Sequence, residues 1–208
     1  MDKANRTGIF LSGGGARGSF HIGFLKALEE YDIEYNYIFG CSAGAIVAGA
    51  STYLSASDIY ERWKRLTLEN VLKIDSKKIV DYDGARKTLM LYRECALSCL
   101  RRDPNFFIDI NDIRKLLYEL LDGEAMRESK IDFGISTTLL PFLQMQNIWK
   151  EDMVVNPLEY ILASIYLPIF SRQRIIDGRQ YMDLCKFRRF PFEVLKEKGC
   201  DNIFVVNL

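Results

Sequence analysis

The stretch YIFGCSAGAIVAG, residues 37–49, sets a serine between two glycines where a short apolar run gives way to small residues. Gly40-Cys41-Ser42-Ala43-Gly44 fits G-x-S-x-G, the pattern of a nucleophile on a sharp strand-to-helix turn. Glycines on either side relieve crowding where the nucleophile takes a strained backbone. A serine hydroxyl attacks only if a neighbour takes its proton, and the chain has one histidine, His21. His21 falls within the helix expected after Gly18, and a helix interior rarely lets a side chain swing between nucleophile and leaving group. It is expected instead to pack on the preceding glycine loop and bond the backbone there. The base is then a carboxylate, or Ser42 is only a turn residue.

The glycine loop is SGGGARG, residues 12–18. Glycines leave backbone N–H groups uncovered and allow positive φ, and the helix that follows adds partial positive charge. Gly13, Gly15 and Gly18 satisfy G-x-G-x-x-G, which alone fits a dinucleotide phosphate site. Such a site also wants a carboxylate about twenty residues on, at the end of the second strand. Here that strand ends YIFGCSAG, with a serine and no acid. The balance favours an oxyanion hole in this loop, with a tight structural turn as the plainer alternative.

The elements that must position these groups follow from apolar spacing. TGIFLSG reads as a buried strand, and residues 18–31 as a helix with Phe24, Leu25, Leu28 and Tyr31 at helical spacing. YNYIFG is a second strand and SAGAIVAGASTYL a close-packing helix. Strand and helix alternating through short turns predict an α/β fold, a three-layer α/β/α arrangement on a largely parallel sheet. Residues from about 56 to 121 read as helical, with Asn111 as a cap and Ile113, Leu116, Leu117, Leu120 and Leu121 as a core stripe. Two strands joined near Pro141 follow, then a helix in NPLEYILASIYLP, a hairpin turning at Asp177-Gly178, and a final helix and strand.

Composition narrows the function. The 208 residues suit one domain over 1–208. Lys plus Arg and Asp plus Glu each number 28, so no strong field favours nucleic acid. Five cysteines, at 41, 95, 99, 185 and 200, form no CxxC pair and suit a reducing, cytoplasmic setting without disulfides or zinc. The N-terminal apolar run is too short for a signal peptide or membrane span. No ligand cluster suggests a metal, and no cofactor is expected.

Four segments in order, SGGGARGSFHIGFLKALEE, GCSAGAIVAG, ASIYLPIF and IIDGRQYMDLCKFRRFPFEVLKEKGCDNIFVVNL, resemble the patatin-like phospholipase family. The match runs from about residue 7 to the C-terminus and is weakest between 56 and 130. The resemblance implies a lipid acyl hydrolase with a Ser-Asp dyad and no cofactor. Ser42 would be the nucleophile, Gly13, Gly14 and Gly15 the oxyanion donors, and Arg17 and Gly18 part of the supporting loop. Asp183, in YMDLCKFRRFP, holds the position of the catalytic carboxylate, and Asp177 that of a turn residue just before it. The family's two small residues after this aspartate are here Leu184 and Cys185. Leucine at positive φ there would cost about 1–2 kcal/mol.

The implied substrate is a lipid or ester, met at the periphery of a membrane, with the protein otherwise cytoplasmic. Tyr166, Leu167, Ile169, Phe170 and the helix TLMLYRECALSCL are candidates to hold an acyl chain, though core packing explains most of them. The alternative function keeps the fold as a lipid-binding or regulatory protein without hydrolysis.

Overall fold

The computed structural model describes residues 6–66, 110–167, 174–183 and 192–208. Strand β1 is Thr7–Leu11, buried along its whole length, as its unbroken apolar run requires. A 3-10 turn, Gly15–Gly18, leads into α1, Ser19–Glu30. Then come β2 (Tyr37–Cys41), α2 (Ala43–Ser51) and α3 (Ala56–Trp63). Helix α3 is capped by Ser55, whose side chain accepts from the Asp58 N–H.

After residue 109 the chain forms α4 (Ile110–Leu120), α5 (Gly123–Glu128), β3 (Asp132–Leu140) and β4 (Gln144–Trp149). Next are α6 (Pro157–Ile165), the short β5 (Arg174–Ile176) and β6 (Arg179–Met182), α7 (Glu193–Glu197) and β7 (Asn202–Val206). The expected stripe on α4 is core: Ile113, Leu117 and Leu120 are buried, and Leu121 just beyond the helix also. Asn111 is not the cap. It lies inside the first described turn, and its Oδ1 accepts from Arg114. The expected helix TLMLYRECALSCL lies outside the described residues, as do Ile169, Phe170, Leu184 and Cys185.

Four strands run parallel in the order β7-β1-β2-β3. Beyond them β4 and β6 both pair antiparallel with β3, and β5 with β6. One face of the sheet carries Ile9, Leu11 and Ile38 against the apolar sides of α1–α6. The other carries Phe10, Phe39, Cys41 and Trp149 against Val194 and Leu195 of α7. Helices on both faces of a mainly parallel sheet are the expected α/β layers.

The pairing along β3 decides the geometry of the site. Residues Gly134–Ser136 face β2 and β4 at once, so those two strands occupy opposite edges of β3. Thr138 and Leu139 face β4 and β6 at once, so β6 also lies opposite β4. Strands β2 and β6 therefore share one edge of β3, end to end. Cys41 stands across from Ser136 and Met182 from Thr138. The two chains run toward each other and stop on either side of Thr137.

Candidate active site

Ser42 is the first residue past β2 and the N-cap of α2, with φ 53° and ψ −127°. A non-glycine residue there costs of order 1–3 kcal/mol and persists only where its surroundings hold it. The surroundings are two close backbone approaches. A Cβ on Gly40 would stand 2.3 Å from the Gly44 carbonyl oxygen, and one on Gly44 would stand 2.3 Å from the Leu11 carbonyl oxygen. Both glycines of G-x-S-x-G are thus required by contact, and the second seats the start of α2 on the end of β1.

The same seating brings the glycine loop onto the serine. A Cβ on Gly13 would lie 3.0 Å from the Ser42 Cβ, so Gly13 packs directly on the Ser42 side chain. Gly15 sits at φ +57°, a conformation glycine takes freely. Among the described residues, the N–H groups of Gly13, Gly14 and Gly15 have no backbone or side-chain acceptor. Gly18 is buried under the Trp63 ring, and Arg17 is exposed, its N–H and Nε both directed at the Gly14 carbonyl.

His21 is fully buried, and its Nε2–H donates to the Ser12 carbonyl over 2.8 Å. Its Nδ1 has no hydrogen-bond partner among the described residues. Burial pushes its pKa below the ordinary 6.5, against the opposing effect of the Ser12 carbonyl. The ring is a neutral strut under the glycine loop, as expected from its place on α1.

Asp183 is the first residue past β6, and its N–H donates to the Tyr166 carbonyl over 2.6 Å. Cys41 and Met182 face β3 residues two apart, so the two strand ends lie roughly 7 Å apart along that edge. The fold thus brings the Ser42 and Asp183 backbones to one gap. Asp177 stands away from it. It occupies the exposed two-residue turn with Gly178, both at positive φ, at the far end of β6. Tyr166 is buried, which raises its pKa, and Leu167 is exposed.

Several supporting residues were not singled out from the sequence, although Ser164 lies in the segment ASIYLPIF that carries part of the resemblance. Ser164, buried on α6, accepts the Ser42 N–H at 2.8 Å and donates to the Ser136 carbonyl at 2.7 Å. The Thr137 hydroxyl is shared between the Ala163 and Met182 carbonyls, at 2.9 and 3.3 Å. Leu208 lies over Gly14 and donates its N–H to the Ser12 Oγ at 2.8 Å. A serine or threonine in an apolar run was the available hint, but nothing local says which backbone it meets.

Among the described residues no cluster of His, Cys, Asp and Glu could hold a metal, and no helix is long and apolar enough to cross a membrane. A lysophospholipase NTE1 of Eremothecium gossypii is 52% identical over 210 residues, which is 97% of this chain and 12% of that protein. The neuropathy target esterase sws of Drosophila melanogaster is 49% identical over 43 residues, 21% of this chain and 3% of that protein. The chain therefore spans a small part of the curated relatives it matches. VipD from Legionella pneumophila shares the fold, with a TM-score of 0.53 at 16% identity over 86% of this chain and 46% of that one. The family model described as Patatin-like phospholipase matches residues 9–183, and the chain belongs to that family.

Proposed function

We propose that this chain is a single acyl-hydrolase domain that cleaves carboxylic esters of lipids, with Ser42 as nucleophile and Asp183 as general base. The observation that carries the reading is the meeting of β2 and β6 on one edge of β3, with Ser42 held at positive φ. An ester carbonyl docks with its oxygen toward the amides of Gly13, Gly14 and Gly15. Asp183 accepts the Ser42 proton as Oγ attacks the carbonyl carbon, and the glycine amides hold the oxyanion that forms. The intermediate collapses, the C–O bond to the alcohol breaks, and Asp183 returns the proton to the leaving oxygen. Water then attacks the acyl-enzyme, losing its proton to Asp183, and releases the fatty acid and the free serine.

The names of the relatives, lysophospholipase and esterase, support a glycerophospholipid carrying an acyl chain as substrate. The β3–β4 hairpin fits that class. Residues 133–149 contain no charged side chain, and at the tip Phe142 is 81% exposed and Leu143 is exposed at φ 52°. An aromatic and a leucine on a charge-free tip suit the headgroup boundary of a lipid surface, beyond the end of β3 that passes Ser42. Cys41 and Cys200 are free thiols, which suits a reducing, cytoplasmic compartment with peripheral lipid contact.

A serine-reactive fluorophosphonate tests the reading. Stoichiometric labelling that disappears in Ser42→Ala, together with fatty-acid release from lysophosphatidylcholine, is the expected result. An intact protein that takes no label and releases no fatty acid is a lipid binder with this fold and not a hydrolase.

A further inference from the structure

The edge of β3 that faces Ser42 has a defined hydrogen-bond phase. Its ladder opens with the Asp132 N–H donating to the Asn36 carbonyl at 2.9 Å. Parallel bonds on one edge recur every second residue, so the partners run through 134 and 136. The next bond in phase is the Ser42 N–H to the Ser136 carbonyl. The corresponding bond at the other side of the sheet forms directly. There Leu11 pairs with Val206, and the Ser12 N–H donates to the Val206 carbonyl at 3.0 Å.

At Ser42 a hydroxyl is spliced into that bond. The Ser42 N–H donates to Ser164 Oγ at 2.8 Å, and the Ser164 hydroxyl donates to the Ser136 carbonyl at 2.7 Å. At an ordinary angle about the hydroxyl oxygen, this sets the Ser42 nitrogen about 4.5 Å from the Ser136 oxygen, against about 3 Å for a direct bond. The wedge moves Ser42 away from β3 by over 1 Å and stops β2 from continuing straight along the edge toward Met182. Ser164 is fully buried, so no outside water can take the hydroxyl's place without opening the packing.

We infer that Ser164 is the positioning residue of the nucleophile: its hydroxyl, inserted in the last β2–β3 ladder bond, holds Ser42 off the strand at the separation the reaction needs. The inference rests on the reading of Ser42 as nucleophile, but the splice itself is tested independently. A displacement of about 1 Å at a reacting group costs about 100-fold in rate. Ser164 touches neither substrate nor the reacting atoms, so substrate binding is left intact.

The experiment compares the intact protein with Ser164→Ala, Ser164→Thr and Ser51→Ala. Ser51 serves as a control because it is buried at the far end of α2 from Ser42, where its hydroxyl bonds the Ala48 carbonyl of the same helix. Steady-state hydrolysis of lysophosphatidylcholine and site-resolved amide hydrogen exchange are both read. In Ser164→Ala, kcat should fall about 100-fold at unchanged KM, and the Ser42 amide should exchange at least 10-fold faster while other α6 and β3 amides keep their protection. Ser164→Thr, which keeps the hydroxyl, should restore most of kcat, and Ser51→Ala should leave it unchanged. Wild-type kcat in Ser164→Ala, or a loss matched by Ser51→Ala or spread over all amides, overturns the inference. If the intact protein hydrolyses nothing, exchange decides alone. A faster Ser42 amide then leaves the splice standing and the proposed function fallen, and an unchanged one overturns the splice.

Discussion

Ser42 holds its strained backbone because two glycines let neighbouring main chain come closer than any side chain allows. Gly40→Ala or Gly44→Ala would drive a methyl into a carbonyl oxygen at 2.3 Å. Each should cost about 3 kcal/mol or more in urea unfolding, since backbone on both sides leaves nothing flexible to yield. The base is tested by removing its charge alone. Asp183→Asn should lower kcat by about 1000-fold with little change in melting temperature, whereas Asp177→Asn, at an exposed turn, should keep full activity. His21 gives a pH signature. Its folded-state pKa lies below the 6.5 of the unfolded chain, so the unfolded state binds the extra proton. Its contribution to stability is complete above pH 6.5 and drains away as pH falls below it, by up to about 1.4 kcal/mol per pH unit. Urea midpoints across that range should show this slope, and His21→Gln should flatten it.

Among the elements, the β3–β4 hairpin is separable from the chemistry. Phe142→Ser should weaken binding to phosphatidylcholine vesicles roughly 10-fold, about the transfer free energy of a partly inserted ring, and leave hydrolysis of a short, soluble ester unchanged. Equal losses on both substrates would assign the tip to catalysis instead. The individual elements were legible because each rests on local pattern: an apolar run in β1, 3.6-residue spacing on α4, two positive-φ residues at Asp177-Gly178. Asn111 misled because a capping residue type says nothing about whether the helix has already begun, and Ile110 is already helical. The glycine–serine–glycine spacing was equally legible, since close approach leaves glycine little alternative. The sharing of one β3 edge by β2 and β6 was not. Strand pairing joins Cys41 to Ser136 and Thr138 to Met182, residues 95 and 44 positions apart, and no local spacing records it. The role of Ser164 was hidden for the same reason: its segment, ASIYLPIF, carried part of the resemblance, but its partners, Ser42 and Ser136, are 122 and 28 residues away.

At the scale of the molecule, the described helices cover the two faces of the sheet unequally. Among the described helices only α7 covers the face of Phe10, Phe39 and Trp149, and Lys198, just past α7, ties it down. Its Nζ lies 3.0 Å from Asp132, 2.9 Å from Glu151 and 4.5 Å from the centre of the Trp149 ring. The site is partly exposed, so Lys198→Met should cost about 1–2 kcal/mol in denaturant unfolding, with activity per folded molecule unchanged. Helix α6 and strand β6 meet at the gap at Thr137, where the edge of β3 passes from parallel β2 to antiparallel β6. The central claim is that this gap joins the Ser42 hydroxyl to the Asp183 carboxylate beneath the glycine amides. A crystal structure of the protein trapped with a fluorophosphonate tests it most directly. The account predicts phosphorus on Ser42 Oγ, a phosphonyl oxygen facing the N–H groups of Gly13, Gly14 and Gly15, and an Asp183 carboxylate oxygen about 2.6–3.2 Å from Oγ. An adduct on another residue, or an Asp183 carboxylate too far from Oγ for even one bridging water, would contradict it.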